Sequence, residues 1–170
     1  MRIKLIYGSD TGNTELVTTD LVKLLDKEEV EVKTVDEIAE DDWQSHSYYL
    51  LGIPTWYDGE LQSDWEDYFE EFQTIDFTGK TVAVFGLGDQ IGYDEWFCDG
   101  VGILAKVVEE NGGKIIGLTK KDDSYEFESS KALKDEDTFW GLCLDEDNQD
   151  ELTEERLENW YNKLKLELNV

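Results

Sequence analysis

Basic residues are scarce in this chain of 170: 15 Lys and Arg stand against 42 Asp and Glu, a net charge of −27 with a pI near 4.1. That imbalance excludes a nucleic-acid surface, which needs clustered Lys and Arg to neutralise phosphates. It favours partners with a basic face, although part of the acidity serves solubility. Cysteine is nearly absent, and Cys98 and Cys143 lie outside any C-x-x-C spacing, so there is no disulfide framework and both thiols are expected to pack inside. No apolar run approaches the ~18 residues of a membrane span, and no signal peptide opens the chain. The expectation is a cytoplasmic, reduced, soluble protein without membrane association. Histidine occurs once, at His46, with no Ser, Cys or second His in pattern around it; a surface role is expected. No nucleophile, metal cluster or acid–base pair is legible.

What the chain does contain is a segment suited to phosphate. Gly8-Ser9-Asp10-Thr11-Gly12-Asn13-Thr14 follows the apolar run Ile3 to Tyr7 and opens an amphipathic stretch at Glu15. The first N–H groups of a helix lack internal partners and carry about half a positive charge, so a phosphate satisfies both deficits. Ser9, Thr11 and Thr14 add hydroxyl donors, and Gly12 permits close approach or a positive φ. No Lys or Arg lies between Lys4 and Lys23, which excludes the lysine-bearing P-loop. Neutral donors suit one terminal phosphate monoester. Asp10 would repel it and is expected to point to solvent.

The rest of the chain alternates strand and helix. Strands are expected at 3–7, around Val30 to Val35, at Tyr48 to Ile53, at Thr81 to Phe85 and at Lys114 to Leu118. Helix faces read as Leu16, Val17, Leu21, Leu24 and Leu25, then as Trp65, Tyr68, Phe69 and Phe72 behind a Ser63/Glu66 capping box. A long helix from Tyr93 to Asn111 turns Phe97, Val101, Leu104 and Val108 inward, and a last one after the N-cap Thr153 carries Leu157, Trp160, Tyr161, Leu164 and Leu168. A short helix is expected at 36–39. Such alternation implies right-handed crossovers in an α/β, doubly wound, single-domain parallel sheet of five strands in the order 2-1-3-4-5. One domain of this length buries about 70% of its unfolded surface. Ligands then sit where winding reverses, between strands 1 and 3.

The loop at 54–62 therefore neighbours the phosphate segment. It reads Pro54-Thr55-Trp56-Tyr57-Asp58-Gly59-Glu60-Leu61-Gln62, and the loop after the fourth strand reads Gly86-Leu87-Gly88-Asp89-Gln90-Ile91-Gly92-Tyr93. A flat ligand between Trp56 and Tyr93 gains about 0.5–1.5 kcal/mol per stacked pair beyond area burial. The acidic run Asp145 to Glu151 invites a calcium reading. Counted from Asp145, however, position six is Asp150 instead of Gly and position twelve is Arg156 instead of Glu, so a solvated surface is expected.

Leu5 to Thr14 resembles the flavodoxin FMN-phosphate signature, and PTWxxGExQxDW, GxGDQxGY and GLxLDEDNQ follow in that family's order over essentially the whole chain. The polar stretch 119–138 resembles the insertion that splits the fifth strand of long-chain flavodoxins, although Leu118 to Tyr125 lacks the Trp and Gly usual there. The resemblance implies a low-potential one-electron carrier, not an enzyme, using non-covalently bound FMN. The implied cofactor residues are Ser9, Asp10, Thr11, Gly12, Asn13 and Thr14 at the phosphate, and Pro54, Thr55, Trp56, Tyr57, Asp58, Gly59, Gly86, Leu87, Gly88, Asp89 and Tyr93 around the ring. Trp56 would take the inner flavin face and Tyr93 the outer, with the Tyr57–Asp58 peptide at N5 and backbone around Asp89 at the pyrimidine edge. In this family the segment equivalent to Asp58-Gly59 can rotate a peptide so that a carbonyl accepts from protonated N5.

Full reduction adds negative charge near Asp58 and Asp89. At an effective ε near 20, one carboxylate ~8 Å away opposes it by roughly 2 kcal/mol, so a low potential is expected. The implied partners of this monomer are an NADPH-dependent flavodoxin/ferredoxin reductase and other redox proteins with basic docking faces. The alternative is an FMN-dependent quinone reductase on the same fold, against which a capping Tyr93 argues. A signalling receiver would need an Asp at the end of strand 3, where Gly52-Ile53-Pro54 stands.

Overall fold

The computed structural model describes residues 1–25 and 29–168. The chain runs β1 (Arg2–Tyr7), α1 (Asn13–Leu24), β2 (Glu29–Thr34), β3 (Tyr48–Trp56), β4 (Glu60–Leu61), α2 (Ser63–Phe72), β5 (Thr81–Leu87), α3 (Asp99–Glu110), β6 (Lys114–Ile116), β7 (Thr119–Lys120), β8 (Thr138–Phe139), β9 (Leu142–Leu144) and α4 (Thr153–Leu168). The strands β2-β1-β3-β5-β6 pair in parallel in that order. β6 pairs with Thr81 to Ala83 of β5, and β9 with Phe85 to Leu87. The fifth sheet position is thus one strand cut by the 119–138 insertion, which forms its own antiparallel β7–β8 pair. No helix among the described residues is long and apolar enough to cross a membrane.

Strand residues point alternately to two buried layers. Ile6, Tyr49, Leu51, Ile53, Val82 and Val84 meet Trp65 and Phe72 of α2 and Val101 and Leu104 of α3. Ile3, Leu5, Leu50, Ala83 and Phe85 meet Val17 and Leu21 of α1 and Leu157, Trp160 and Leu164 of α4. Each fully buried large side chain contributes about 1.5–3 kcal/mol. Both faces being covered explains why β5 reads as uniformly apolar.

Several element boundaries differ from the sequence reading, each for a tertiary reason. α1 begins at Asn13, and Leu16, expected on its apolar face, is 65% exposed. The expected short helix at 36–39 is replaced by two 3₁₀ turns, Val35–Glu37 and Glu40–Trp43. β3 continues to Trp56 because β4 folds back against it. α2 is capped by Gln62, whose side chain accepts from the Trp65 N–H, and Ser63 is already helical. The helix expected from Tyr93 begins only at Asp99, since residues 93–98 form turns held by Asp89 and the insertion. β6 stops at Ile116 because Gly117 takes φ +73°.

A buried ionic cluster was not legible in the sequence. Lys4, 1% exposed in the middle of β1, pairs with Asp42 and with Glu31 at 3.0 Å. Asp42 also accepts from Lys33 at 2.9 Å and from the Ala39 N–H at 2.8 Å. His46 belongs to the same layer. Contrary to the expected surface role it is buried, with Nδ1 2.7 Å from Ser45 Oγ and Nε2 3.7 Å from Glu31. Burial, then the charges of Lys4 and Arg2, push its pKa down.

Burial opposes the Asp42 charge, yet the Ala39 N–H, Lys4 and Lys33 together hold its carboxyl far below the usual range. A carboxyl depressed by folding contributes stability that is complete above its unfolded value of ~3.9 and is lost as pH falls further. Asp42→Asn is expected to cost about 3–5 kcal/mol at neutral pH, as breaking a buried pair does. It should also flatten the acid limb below pH ~4 in urea unfolding measured across pH. An acid limb as steep as the wild type's would contradict this account of the cluster.

Candidate functional site

The carboxyl ends of β1, β3 and β5 deliver three loops to one cleft. At the end of β1 the Gly8 N–H donates to the Gly52 carbonyl of β3 at 3.1 Å. A Cβ at Gly8 would stand 1.9 Å from Gln62 Oε1, so only glycine passes there. Gly12 has φ +93° with open space around its missing Cβ, and its N–H donates to Ser9 Oγ at 3.0 Å. The Ser9 proton is therefore free for another acceptor. No side chain caps α1, which leaves first-turn N–H groups for a ligand. Asp10 is exposed as a residue but is not simply solvated: its Oδ1 accepts from Gln62 Nε2 and Ser63 Oγ, each at 2.9 Å. Two side chains at the start of α2 thereby anchor the one carboxylate of the loop.

The second loop is the tip of the β3–β4 hairpin. Thr55 pairs with Leu61 and Trp56 with Glu60, leaving Tyr57, Asp58 and Gly59 as the turn. Tyr57 has φ +42° and Gly59 φ +81°. Trp56 is half-buried and its indole Nε1 has no hydrogen-bond partner. Tyr57 packs 6.3 Å from Trp56 and 6.2 Å, edge-on, from Tyr93, so three aromatic rings line one mouth. In the third loop Asp89 Oδ1 accepts from the Ile91 and Gly92 N–H groups and from Asn148 Nδ2. Burial works against that carboxylate, but the Gly92 N–H, Asn148 and the Ile91 N–H hold its pKa low. The Asp89 carboxylate is thus committed to its turn and to Asn148.

Ser9, Asp10, Thr11, Asn13, Thr14, Pro54, Thr55, Trp56, Leu87, Gly88, Asp89 and Tyr93 line the cleft, joined by Glu146 and Asp147. Of the other expected residues, Gly12, Tyr57, Asp58 and Gly59 belong to the same loops at its edge. Gly86 does not reach it. Buried in β5, it leaves room for Val101, 2.4 Å from where its Cβ would stand, and for the Ile53 carbonyl. Sequence reasoning missed the 145–148 wall. Asp145, expected in solvent, is fully buried and accepts from the N–H groups of Gln90, Asp147 and Asn148. Its turn places Asp147 in the cleft, where burial, then Asp89 and Asp145, raise the Asp147 carboxyl. An Asp followed by an Asn three residues on was the available turn signal.

The family model described as flavodoxin matches residues 5–160. Flavodoxin 1 of Escherichia coli strain K12 is 45% identical over 166 residues, covering 98% of this chain and 94% of its own. The flavodoxin of Haemophilus influenzae is 43% identical over 162 residues, 95% of this chain and 92% of its own. Among solved structures, Fusobacterium nucleatum flavodoxin bound to flavin mononucleotide superposes with a TM-score of 0.91 at 31% identity, covering 98% of each chain.

Because the Gly12 Cβ position is open, a side chain there would cost only backbone strain. Gly12→Ala is expected to destabilise the protein by about 1–2 kcal/mol, measured by chemical denaturation without ligand. A neutral or stabilising result would show that the loop can abandon its left-handed residue.

Proposed function

The chain belongs to the flavodoxin family, and we propose on that premise that it holds FMN non-covalently in this cleft and carries single electrons between cytoplasmic redox proteins. It is an electron carrier, not an enzyme. The observation that carries the reading is the uncapped start of α1 opening into the same cleft as Trp56 and Tyr93. A phosphate suits the first feature and a flat ring held between aromatic faces suits the second. Bound FMN supplies the one-electron chemistry, and the protein supplies binding, orientation and electrostatics.

Ser9, Thr11, Asn13 and Thr14 would hold the phosphate through hydroxyl and N–H donors, with Gly12 fixing the loop and Asp10 held off by Gln62 and Ser63. Trp56 and Tyr93 would flank the ring, with Pro54, Thr55, Tyr57, Asp58, Gly59, Leu87, Gly88 and Asp89 forming its edges. The acidic wall favours a low potential. Asp147 stands in a site already crowded by Asp89 and Asp145, and added negative charge is opposed there. A quinone reductase is not favoured, because Tyr93 would cap the face that a hydride acceptor would need.

The proposed donor is an NADPH-dependent flavodoxin/ferredoxin reductase, with further redox proteins as acceptors. Residues 58–99 hold twelve acidic residues against the single Lys80, and eight of the twelve are exposed. Such a surface steers association with basic faces, and screening shortens its reach to ~8 Å at physiological salt.

Titration of the apo-protein is expected to show FMN binding at least tenfold tighter than riboflavin, about 1.4 kcal/mol, with FAD not comparable to FMN. Equal affinity for riboflavin would remove the phosphate role of the 9–14 loop. Redox titration of the FMN-loaded protein should resolve two one-electron steps, whereas one two-electron step would favour the reductase alternative. Association with a basic reductase should slow steeply as salt rises; a rate flat across salt would overturn steered docking.

A further inference from the structure

The turn Tyr57-Asp58-Gly59 projects from two arms, and one helix start grips both. On the first arm, Thr55 Oγ1 accepts from the Gly100 N–H at 2.9 Å. On the second, Gly59 lies against the Asp99 carboxylate: a Cβ at Gly59 would stand 2.7 Å from Asp99 Oδ2 and 3.0 Å from Trp96 Cδ1. Asp99 is 1% exposed, so it plays no part in the acidic docking surface. Its other oxygen, Oδ1, accepts from the Lys131 N–H at 2.7 Å.

Lys131 ends a run of contacts that the insertion makes along the segment before α3. The N–H groups of Glu128 and Ser129 donate to the Asp94 carbonyl at 2.9 and 3.0 Å, and Ser130 Oγ donates to the Phe97 carbonyl. A buried carboxylate is costly unless charge or hydrogen bonds offset it. The α3 N-terminus and one N–H offset part of that cost. Tyr57 meanwhile keeps φ +42°, a strained conformation that persists only where the surroundings hold it.

We propose that Asp99 is a positioning residue for electron transfer, its carboxylate joining the 119–138 insertion to the Tyr57–Gly59 turn and biasing which way that turn's peptides face. A carboxylate oxygen behind Gly59 favours turn conformers that aim an N–H at it and disfavours those that aim a carbonyl; burial pushes the Asp99 carboxyl up, and the Lys131 N–H with the Lys131 and Lys106 charges works against that rise. The insertion thereby acts on the cleft without lining it. The inference rests on the FMN-carrier reading.

Asp99→Asn tests it in the full chain, since the amide keeps an acceptor for Lys131 and nearly the same volume while removing the charge. The expected result is movement of the Asp58 and Gly59 amide resonances in apo and FMN-loaded protein. The separation of the two one-electron potentials should also change by about tenfold in equilibrium ratio, or ~59 mV. Lys131→Pro, which removes the N–H donor together with the lysine charge near Asp99, should move the same two resonances. If both resonances and both potentials stay at their wild-type values in Asp99→Asn, with or without a lower melting temperature, Asp99 is only structural and the proposal fails. Failure of the wild type to bind FMN would instead sink the carrier reading, while the apo resonances would still report whether Asp99 governs the turn.

Discussion

The Gly52 carbonyl is the junction on which the site depends. It accepts from the Gly8 N–H at 3.1 Å and from the Trp65 indole N–H at 2.9 Å. The first bond sets where the 8–14 loop leaves the sheet, and the second fixes α2 beneath it. Parallel pairing then carries the same level across the sheet, since Tyr7 lies beside Gly52 and Pro54 beside Leu87. Three loops far apart in sequence therefore begin at one height. A glycine is required at this junction because Phe85 occupies the place of its side chain, with Cζ 2.4 Å from where a Cβ would be.

Layer order and the loops that form the cleft were legible because they rest on local pattern: uniform apolar strands, a hydroxyl-rich turn before a helix, aromatics in glycine-rich loops; the split fifth strand was legible only through the resemblance to long-chain flavodoxins. What could not be read depends on partners distant in the chain. Lys4 is buried because Asp42, 38 residues away, meets it, and no window around Lys4 contains that fact. His46 follows the same cluster inward. Gly86 stood in a loop motif, yet its reason is Val101 on α3. Residues 93–97 had helical spacing, but Asp89 and the insertion offered their backbone other hydrogen bonds. Where local and tertiary partners compete for the same N–H and carbonyl groups, periodicity alone names the wrong winner.

Acidity in this chain is not one property. Exposed carboxylates on the 58–95 surface act at a distance and are screened by salt. Asp42, Asp99 and Asp145 are buried, and each accepts from backbone N–H groups. They pin a 3₁₀ turn, the insertion and the 145–148 wall respectively. A composition count adds these groups together, although a buried carboxylate organises backbone and an exposed one contributes to the long-range field. The run from Asp145 to Glu151 shows the division within seven residues: its first member is a buried hub, its second and third line the cleft, Asn148 and Gln149 bond to other loops, and only Asp150 and Glu151 resemble a solvated surface.

The insertion has a structural task that its polar sequence conceals. Glu126 N–H donates to Gln90 Oε1 at 2.7 Å, Gln149 reaches the Ser124 carbonyl at 2.6 Å, and Arg156 lies over the Tyr125 ring at 4.1 Å while bonding Ser124. Gln90 and Asp89 are in turn tied to Asp145 and Asn148. The 86–93 loop is therefore held from behind by the insertion and from the side by the last loop of the sheet. Left alone, a glycine-rich segment such as 86–93 would lose more conformational entropy on ordering than its few apolar contacts return. Hydrogen bonds from two neighbouring segments supply that order, so Tyr93 can stay 38% exposed at the cleft mouth instead of collapsing into the core. An aromatic ring kept rigid yet accessible is what a flat ligand and a docking partner can share.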